Sequence, residues 1–223
     1  DSRRNSTNIF GIRTIRVSEP ASGTSSVPDA RLRRLQDRLS RRPEAGTELE
    51  PPEGHTEAAV SLIIRASAEL DVLLIKRAES EQDPWSGHIA LPGGRRDTED
   101  ASLAHTAIRE TSEETGVELS TSGWSLGRLG RVVPSRSTLP PITISPYVFG
   151  VQEDIEANAD SSEVDRVLWM GLPDLLDPKT RGTTTILLPT GPEDFPCYWV
   201  GGHVIWGLTF RVLSEFVELA GGL

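Results

Sequence analysis

Three glutamates stand at i, i+3 and i+4 in Arg109-Glu110-Thr111-Ser112-Glu113-Glu114-Thr115-Gly116. On a helix that spacing crowds Glu110, Glu113 and Glu114 onto one face, where like charges repel. The same residues occupy the last turns before Gly116, the negative end of the helix dipole, where an anion is disfavoured by about 0.3–1 kcal/mol. Two local penalties of one sign are what a functional site tolerates. A hard divalent cation converts the repulsion into coordination, since magnesium takes oxygen ligands from a few carboxylates and shares the rest with substrate phosphates and water. An acidic solvated face is the bland alternative for an E-x-x-E-E helix. The neighbourhood favours the metal: Arg109 can orient a carboxylate, and Gly93-Gly94 permit a backbone loop to approach metal and phosphate closely.

The elements that must position this segment are legible around it. Ala59 to Ile64 and Leu70 to Ile75 read as two strands with a short connection, an antiparallel pair in a sheet core. A short apolar run, Ile89 to Leu91, meets the breaker Leu91-Pro92-Gly93-Gly94, and a helical pattern follows from about Asp100 to Thr115, ending at Gly116. Further strands are expected at Trp124 to Val133, Ile142 to Val151, Val164 to Met170 and Thr183 to Leu188, with a last helix from His203 to Leu219. That order predicts an α/β fold, a mixed sheet packed between helices as an α/β/α sandwich. Residues 1–54 are rich in Ser, Pro, Arg and Glu and read as a polar N-terminal arm, with the catalytic domain over 55–223. Within the arm, Leu32, Leu35 and Leu39 fall at helical spacing between Asp29 and Arg42. A short amphipathic helix docked on its own domain or on a neighbouring subunit is preferred there to a nucleic-acid-binding arm. Pro43, Pro51 and Pro52 mark the linker that follows.

Composition narrows the class. With 223 residues, 36% hydrophobic and 25% charged, the chain can fill one core and is neither disordered throughout nor a membrane protein. No stretch reaches the roughly 18 apolar residues of a spanning helix, and Asp1 to Pro20 lacks the apolar core of a secretory signal, which makes the cytoplasm the default location. The single Cys197 excludes an internal disulfide and, with four scattered histidines, disfavours structural zinc. A formal net charge of -10 disfavours broad nucleic-acid binding and means that anionic substrates need metal ions or local arginines to receive them. A symmetric homodimer is the default expectation for the oligomeric state.

Gly94 through Val117 resembles the Nudix box, G-x5-E-x7-R-E-U-x-E-E-x-G-U with U apolar. The R-E-x-x-E-E-x-G half is intact. In the first half Asp100 stands where the family has Glu, and eight residues rather than seven separate it from Arg109. Asp100 either takes the place of that Glu by pairing with Arg109 or caps the helix. Beyond the box, Ile75-Lys76-Arg77-Ala78, Trp85 through Gly94, Asp100-Ala101-Ser102-Leu103, Thr106 through Thr111, Ser162-Glu163-Val164 and Gly202 through Thr209 are similar to the group that includes coenzyme A diphosphatases. Against that group's upstream signature, Gln82 replaces an Arg and Gly87 lies one position late.

The resemblance implies a Nudix-type fold and hydrolysis of a diphosphate linkage in a small-molecule nucleoside diphosphate derivative, with coenzyme A or acyl-CoA foremost. A dinucleotide, an ADP-ribose-like compound or an oxidised nucleoside triphosphate are the alternatives, and a nucleotide-sensing module without turnover is the reading from a different class. It implies Glu110, Glu113 and Glu114 as Mg2+ or Mn2+ ligands, with the Gly94 carbonyl as a further candidate, and Arg109 in the catalytic cluster with Glu110 and Glu114. Glu110 is the leading base for activating water, and Glu163 is its competitor from another segment. Arg77, Arg95, Arg96 and Arg136 are candidates to meet phosphates bidentately, and His88 to reach one. Trp85 and Trp206 offer stacking surfaces, although tryptophans more often fill cores.

Overall fold

The structure, a computed structural model, describes residues 26–42, 51–79, 86–134, 141–188 and 191–222. Strands β1 (Thr56–Ala66) and β2 (Leu70–Arg77) form the expected antiparallel pair, with Ile64 opposite Val72 and Ala66 opposite Leu70. Side chains alternate across a strand. Leu62, Ile64, Val72 and Leu74 therefore enter one apolar cluster, while Ala59, Ile63, Leu73 and Ile75 enter another on the opposite face.

Seven strands make the main sheet. Its path runs β3 (Ile89–Ala90), β2, β1, β6 (Ile142–Gln152), β5 (Gly123–Arg128), with β4 (Gly93–Arg95) added to β1 and β7 (Val164–Gly171) to β2. The β1–β6 pair is parallel and runs from Thr56 opposite Ile142 to Ala66 opposite Gln152. One face is covered by α2 (Leu103–Thr115) and α3 (Leu119–Ser122), through Leu103, Ala107 and Leu119. The other is covered by α1 (Ala30–Ser40) and α5 (Gly207–Ala220), through Leu32, Leu35 and Leu39 and through Val212, Leu213 and Phe216. A mixed sheet between helices is the architecture expected. A short helix α4 (Leu172–Leu176) leads from β7 into a separate antiparallel sheet of β8 (Arg181–Leu188), β9 (Gly191–Val200) and β10 (His203–Trp206).

Helix α1 lies in the segment read as a polar arm, yet its leucines are fully buried in the domain's own core. Asp29 caps it, accepting from Arg31 N at 2.7 Å and Leu32 N at 3.2 Å. The sheet makes room with two glycines: a Cβ on Gly150 would come within 2.8 Å of Leu32 Cδ1, and one on Gly127 within 2.9 Å of Leu39 Cβ. The scarcity of apolar residues in 1–54 hid how fully these few are used.

Other boundaries moved for local reasons. The strand expected over Trp124 to Val133 ends at Arg128, and the chain rejoins the sheet only through a bridge between Val132 and Ile144. The final helix starts at Gly207, because His203 to Trp206 pairs with β9 as a strand. The whole of β9 was unanticipated; Pro192 and Pro196 mask its pattern, since proline is ordinarily confined to sheet edges. Cys197 is buried there and burial pushes its thiol up. Among the described residues, no helix is long and apolar enough to cross a membrane.

Candidate functional site

Strand β4 lies antiparallel on β1, with Gly94 opposite Ala59 and Gly93 opposite Val60. Gly93 is held at φ 149°, and a Cβ there would come within 2.3 Å of the Ala59 carbonyl oxygen. Only glycine fits. At Gly94 the obstacle is the site itself: a Cβ would lie 2.5 Å from the Glu110 carboxylate. The two glycines thus leave a place where α2 brings its acids against backbone.

Helix α2 is capped by Ser102, whose Oγ accepts from His105 N at 3.2 Å, and closes on Gly116 at φ 67°. Asp100 is therefore not the N-cap. Its side chain is buried and accepts from Arg109 Nε at 3.1 Å and Nη2 at 3.0 Å, from the Thr106 hydroxyl at 2.8 Å and from Asp97 N at 2.9 Å. The Arg109 guanidinium, and secondarily the backbone donor and the hydroxyl, hold this carboxyl well below the usual carboxylate range. Arg109 is raised in turn, chiefly by Asp100.

The remaining donors of Arg109 organise the acids. Its Nη1 lies 2.9 Å from Glu110 Oε1 and donates to Glu113 Oε2 at 3.0 Å, while Nη2 also donates to the Arg95 carbonyl at 3.3 Å. Glu110 and Glu113 differ in setting, with side chains 18% and 57% exposed. Glu114 is buried and accepts from Gly93 N at 2.9 Å. Burial, with help from the neighbouring Glu110 and Glu163, pushes its carboxyl up to about 7 against the opposing effects of Gly93 N–H and Arg77. Burial likewise raises Glu110, against the pull of Arg109.

The predicted ligands therefore separate into two groups. Glu110 and Glu114 converge on Gly93-Gly94, whereas Glu113 is turned outward to Arg109. Among the described residues no group of three Asp, Glu, His or Cys side chains is gathered as a metal cage. The donor set still suits a hard cation that brings its own water and phosphate ligands. Burial disfavours the charged form of both carboxylates beside the glycine backbone, more at Glu114 than at the Arg109-paired Glu110, and a cation would favour it.

The backbone of β2 ties the candidate substrate residues to this place. Arg77 N donates to the His88 carbonyl at 2.9 Å and Ala78 N to the Glu163 carbonyl at 2.8 Å. Arg77 and Glu163 are both close enough for their charges to act on Glu114. The His88 ring packs edge-on against Trp206, with centroids 4.9 Å apart, and Trp206 also meets Phe195 at 5.0 Å. Arg96 is occupied elsewhere, donating from Nη1 to Glu57 Oε2 at 2.9 Å, and Arg95 contributes its carbonyl to Arg109 while its side chain is exposed. Arg136 and Trp85 lie outside the described residues. The ring contacts of Trp206 in β10 have no sequence signal, because the partners His88, just before β3, and Phe195, in β9, are joined to it by no local spacing.

Residues 54–188 match the model of the NUDIX domain. An uncharacterized protein of Schizosaccharomyces pombe is 40% identical over 113 residues, which is 49% of this chain and 34% of that protein. The mitochondrial coenzyme A diphosphatase NUDT8 of Homo sapiens is 32% identical over 132 residues, 58% of this chain and 54% of the human one. The matched regions thus span less than two thirds of either relative. Among solved structures, the NUDIX domain of Shewanella oneidensis NrtR complexed with ADP ribose superposes with a TM-score of 0.50 at 21% identity, covering 78% of this chain and 92% of that one. That likeness is one of fold.

Proposed function

The chain belongs to the Nudix family, and from that premise we propose that it is a diphosphatase dependent on Mg2+ or Mn2+, acting on a nucleoside diphosphate derivative, with coenzyme A or an acyl-CoA as substrate. The observation that carries the metal requirement is the buried Glu114 carboxyl, pushed up to about 7 beside Glu110 and bound to Gly93 N–H. Support for the coenzyme A branch comes from the resemblance around Arg77, Leu91 to Gly94 and Gly202 to Thr209, and from the 32% identity with a coenzyme A diphosphatase.

In this reading Glu110 and Glu114 hold the cation, with the Gly94 carbonyl and Glu113 as further donors once Glu113 leaves Arg109. A bound divalent cation supplies neutralisation of non-bridging oxygens and acidification of a water. Arg109, fixed by Asp100, keeps Glu110 oriented and partly offsets its desolvation. Arg77, whose charge already acts on Glu114, is the best-placed cation to receive a substrate phosphate. Glu110 or the exposed Glu163 takes the proton from the attacking water. The aromatic edge of His88 and Trp206 offers a surface for an apolar or planar part of the substrate.

The test is a panel of coenzyme A, acetyl-CoA, ADP-ribose, a dinucleoside polyphosphate and an oxidised nucleoside triphosphate, assayed with each metal, with products identified by mass spectrometry in labelled water. Coenzyme A should yield adenosine 3',5'-bisphosphate and a phosphopantetheine product. Turnover of another compound with coenzyme A untouched would remove the substrate assignment alone. Inactivity of the wild type throughout would remove the enzyme and favour a nucleotide-sensing module.

A further inference from the structure

Beneath the acidic face, two hydroxyls are sealed in the interface between α2 and the sheet. Ser61 and Thr111 are both fully buried, and the Thr111 hydroxyl lies 2.8 Å from Ser61 Oγ. Ser61 Oγ donates to the Ala107 carbonyl at 3.0 Å, and Thr111 Oγ1 lies 2.7 Å from the same oxygen. The box motif has an apolar residue at the position of Thr111, and the surrounding cluster of Ala59, Ile63, Leu103 and Ala107 is apolar. Burying two hydroxyls where hydrocarbon would pack is costly unless they are satisfied. Apolar contact is non-directional, whereas a hydrogen bond fixes distance and angle.

Ser61 has a second attachment. Its backbone N donates to the Pro92 carbonyl at 2.8 Å, which fixes the residue immediately before Gly93. One residue of β1 therefore holds both the loop that presents Gly93-Gly94 and the turn of α2 bounded by Glu110 and Glu114. Thr111 sits inside that turn.

We propose that Ser61 and Thr111 are positioning residues, a hydroxyl pin that sets the register of α2 against β4 and so the placing of Glu110 and Glu114 at the glycine backbone. The proposal rests on the metal-site reading given above. An error of about 1 Å in placing catalytic groups can cost up to a hundredfold in rate. Without the pin, α2 keeps its apolar contacts but is free to settle along β1.

The experiment compares wild type, Ser61→Ala, Thr111→Val, the double substitution and Thr111→Ser. Each is read for Mn2+ affinity by paramagnetic resonance and for kcat and KM on the best substrate of the panel. In the double variant no buried hydroxyl is left orphaned, so thermal stability should stay near wild type. Its Mn2+ affinity and kcat should each fall on the order of tenfold, with KM little changed. Thr111→Ser keeps the hydroxyl and should retain both. A double variant that folds and binds Mn2+ as wild type does would overturn the pin. So would a loss in Thr111→Ser as large as in Thr111→Val, because the methyl would then be the operative group. If the double variant does not fold, the comparison of Thr111→Ser with Thr111→Val decides alone. Absence of turnover in wild type would defeat the diphosphatase reading yet leave the Mn2+ comparison able to test the pin.

Discussion

Asp100 and Arg109 meet through two parallel hydrogen bonds, Nε to Oδ1 at 3.1 Å and Nη2 to Oδ2 at 3.0 Å. The carboxylate end is 2% exposed and the guanidinium end 28%, so the pair is dry on the side of the acid and open toward Glu110 and Glu113. Asp100 reaches the arginine across one added residue, and the bidentate geometry survives its shorter side chain.

Asp100→Asn should destabilise the chain by about 3 kcal/mol, the low end for breaking a buried pair, because Arg109 is partly exposed and retains Glu110 and Glu113. Urea unfolding measures this. A loss under about 1 kcal/mol would place the pair among ordinary surface bridges.

The same carboxyl predicts an acid-side signature. Its folded pKa is depressed, first by Arg109, so its stabilisation is fully present above the unfolded value near about 4 and is lost as pH falls from there through the lower folded value. The gap in unfolding free energy between wild type and Asp100→Asn should be level above about pH 5 and narrow below about pH 4. A gap independent of pH down to acid unfolding would sink the assignment.

Glu114→Gln is expected to separate stability from activity. In chelator at pH 8 the amide avoids a desolvated charge while still accepting from Gly93 N–H, so Tm should rise, by roughly 2–4 °C for each kcal/mol relieved. Turnover with metal should drop on the order of a hundredfold or more. A variant that is both less stable in chelator and fully active would contradict both halves.

Two arginines should behave differently. Arg77→Ala should raise KM or lower kcat/KM by on the order of tenfold or more through a lost phosphate contact. Arg96→Ala breaks the ion pair with Glu57 and should leave KM near wild type. Equal effects on KM would refute the division of labour.

Leu35→Ala tests the helix that lies ahead of the family match. Leu35 is fully buried between α1 and the sheet, so truncation should cost about 2–5 kcal/mol by calorimetry or denaturant titration. A cost below about 1 kcal/mol would mean that α1 is a detachable appendage.

The parts legible in the sequence were those governed by short spacing. The alternation in β1 and β2, the terminal Gly116 and the i, i+3, i+4 acids all declared themselves. The partition of those acids did not. Helical spacing places Glu113 beside Glu114, but Arg109 at i−4 captures Glu113 while Gly93 N–H draws Glu114 inward, and the second effect depends on β4 pairing with β1. The hairpin of β9 and β10 carried an available signal: Gly201 and Gly202 both have positive φ, as a two-residue turn between strands requires. The apolar residues after it continued into a helical period and obscured that cue. For Asp100 the sequence left pairing with Arg109 and capping the helix both open; the Ser102 hydroxyl takes the cap and the bidentate reach of Arg109 takes Asp100.

The hollows at Gly127 and Gly150 carry a practical lesson about where this protein may be cut. A fragment begun at residue 54, the edge of the family match, would leave the sheet with a concave greasy trough where Leu32 and Leu39 had been seated. Contiguous apolar surface of that kind drives self-association. Poor solubility of such a fragment would report a missing plug, and would say nothing against the chemistry on the opposite face.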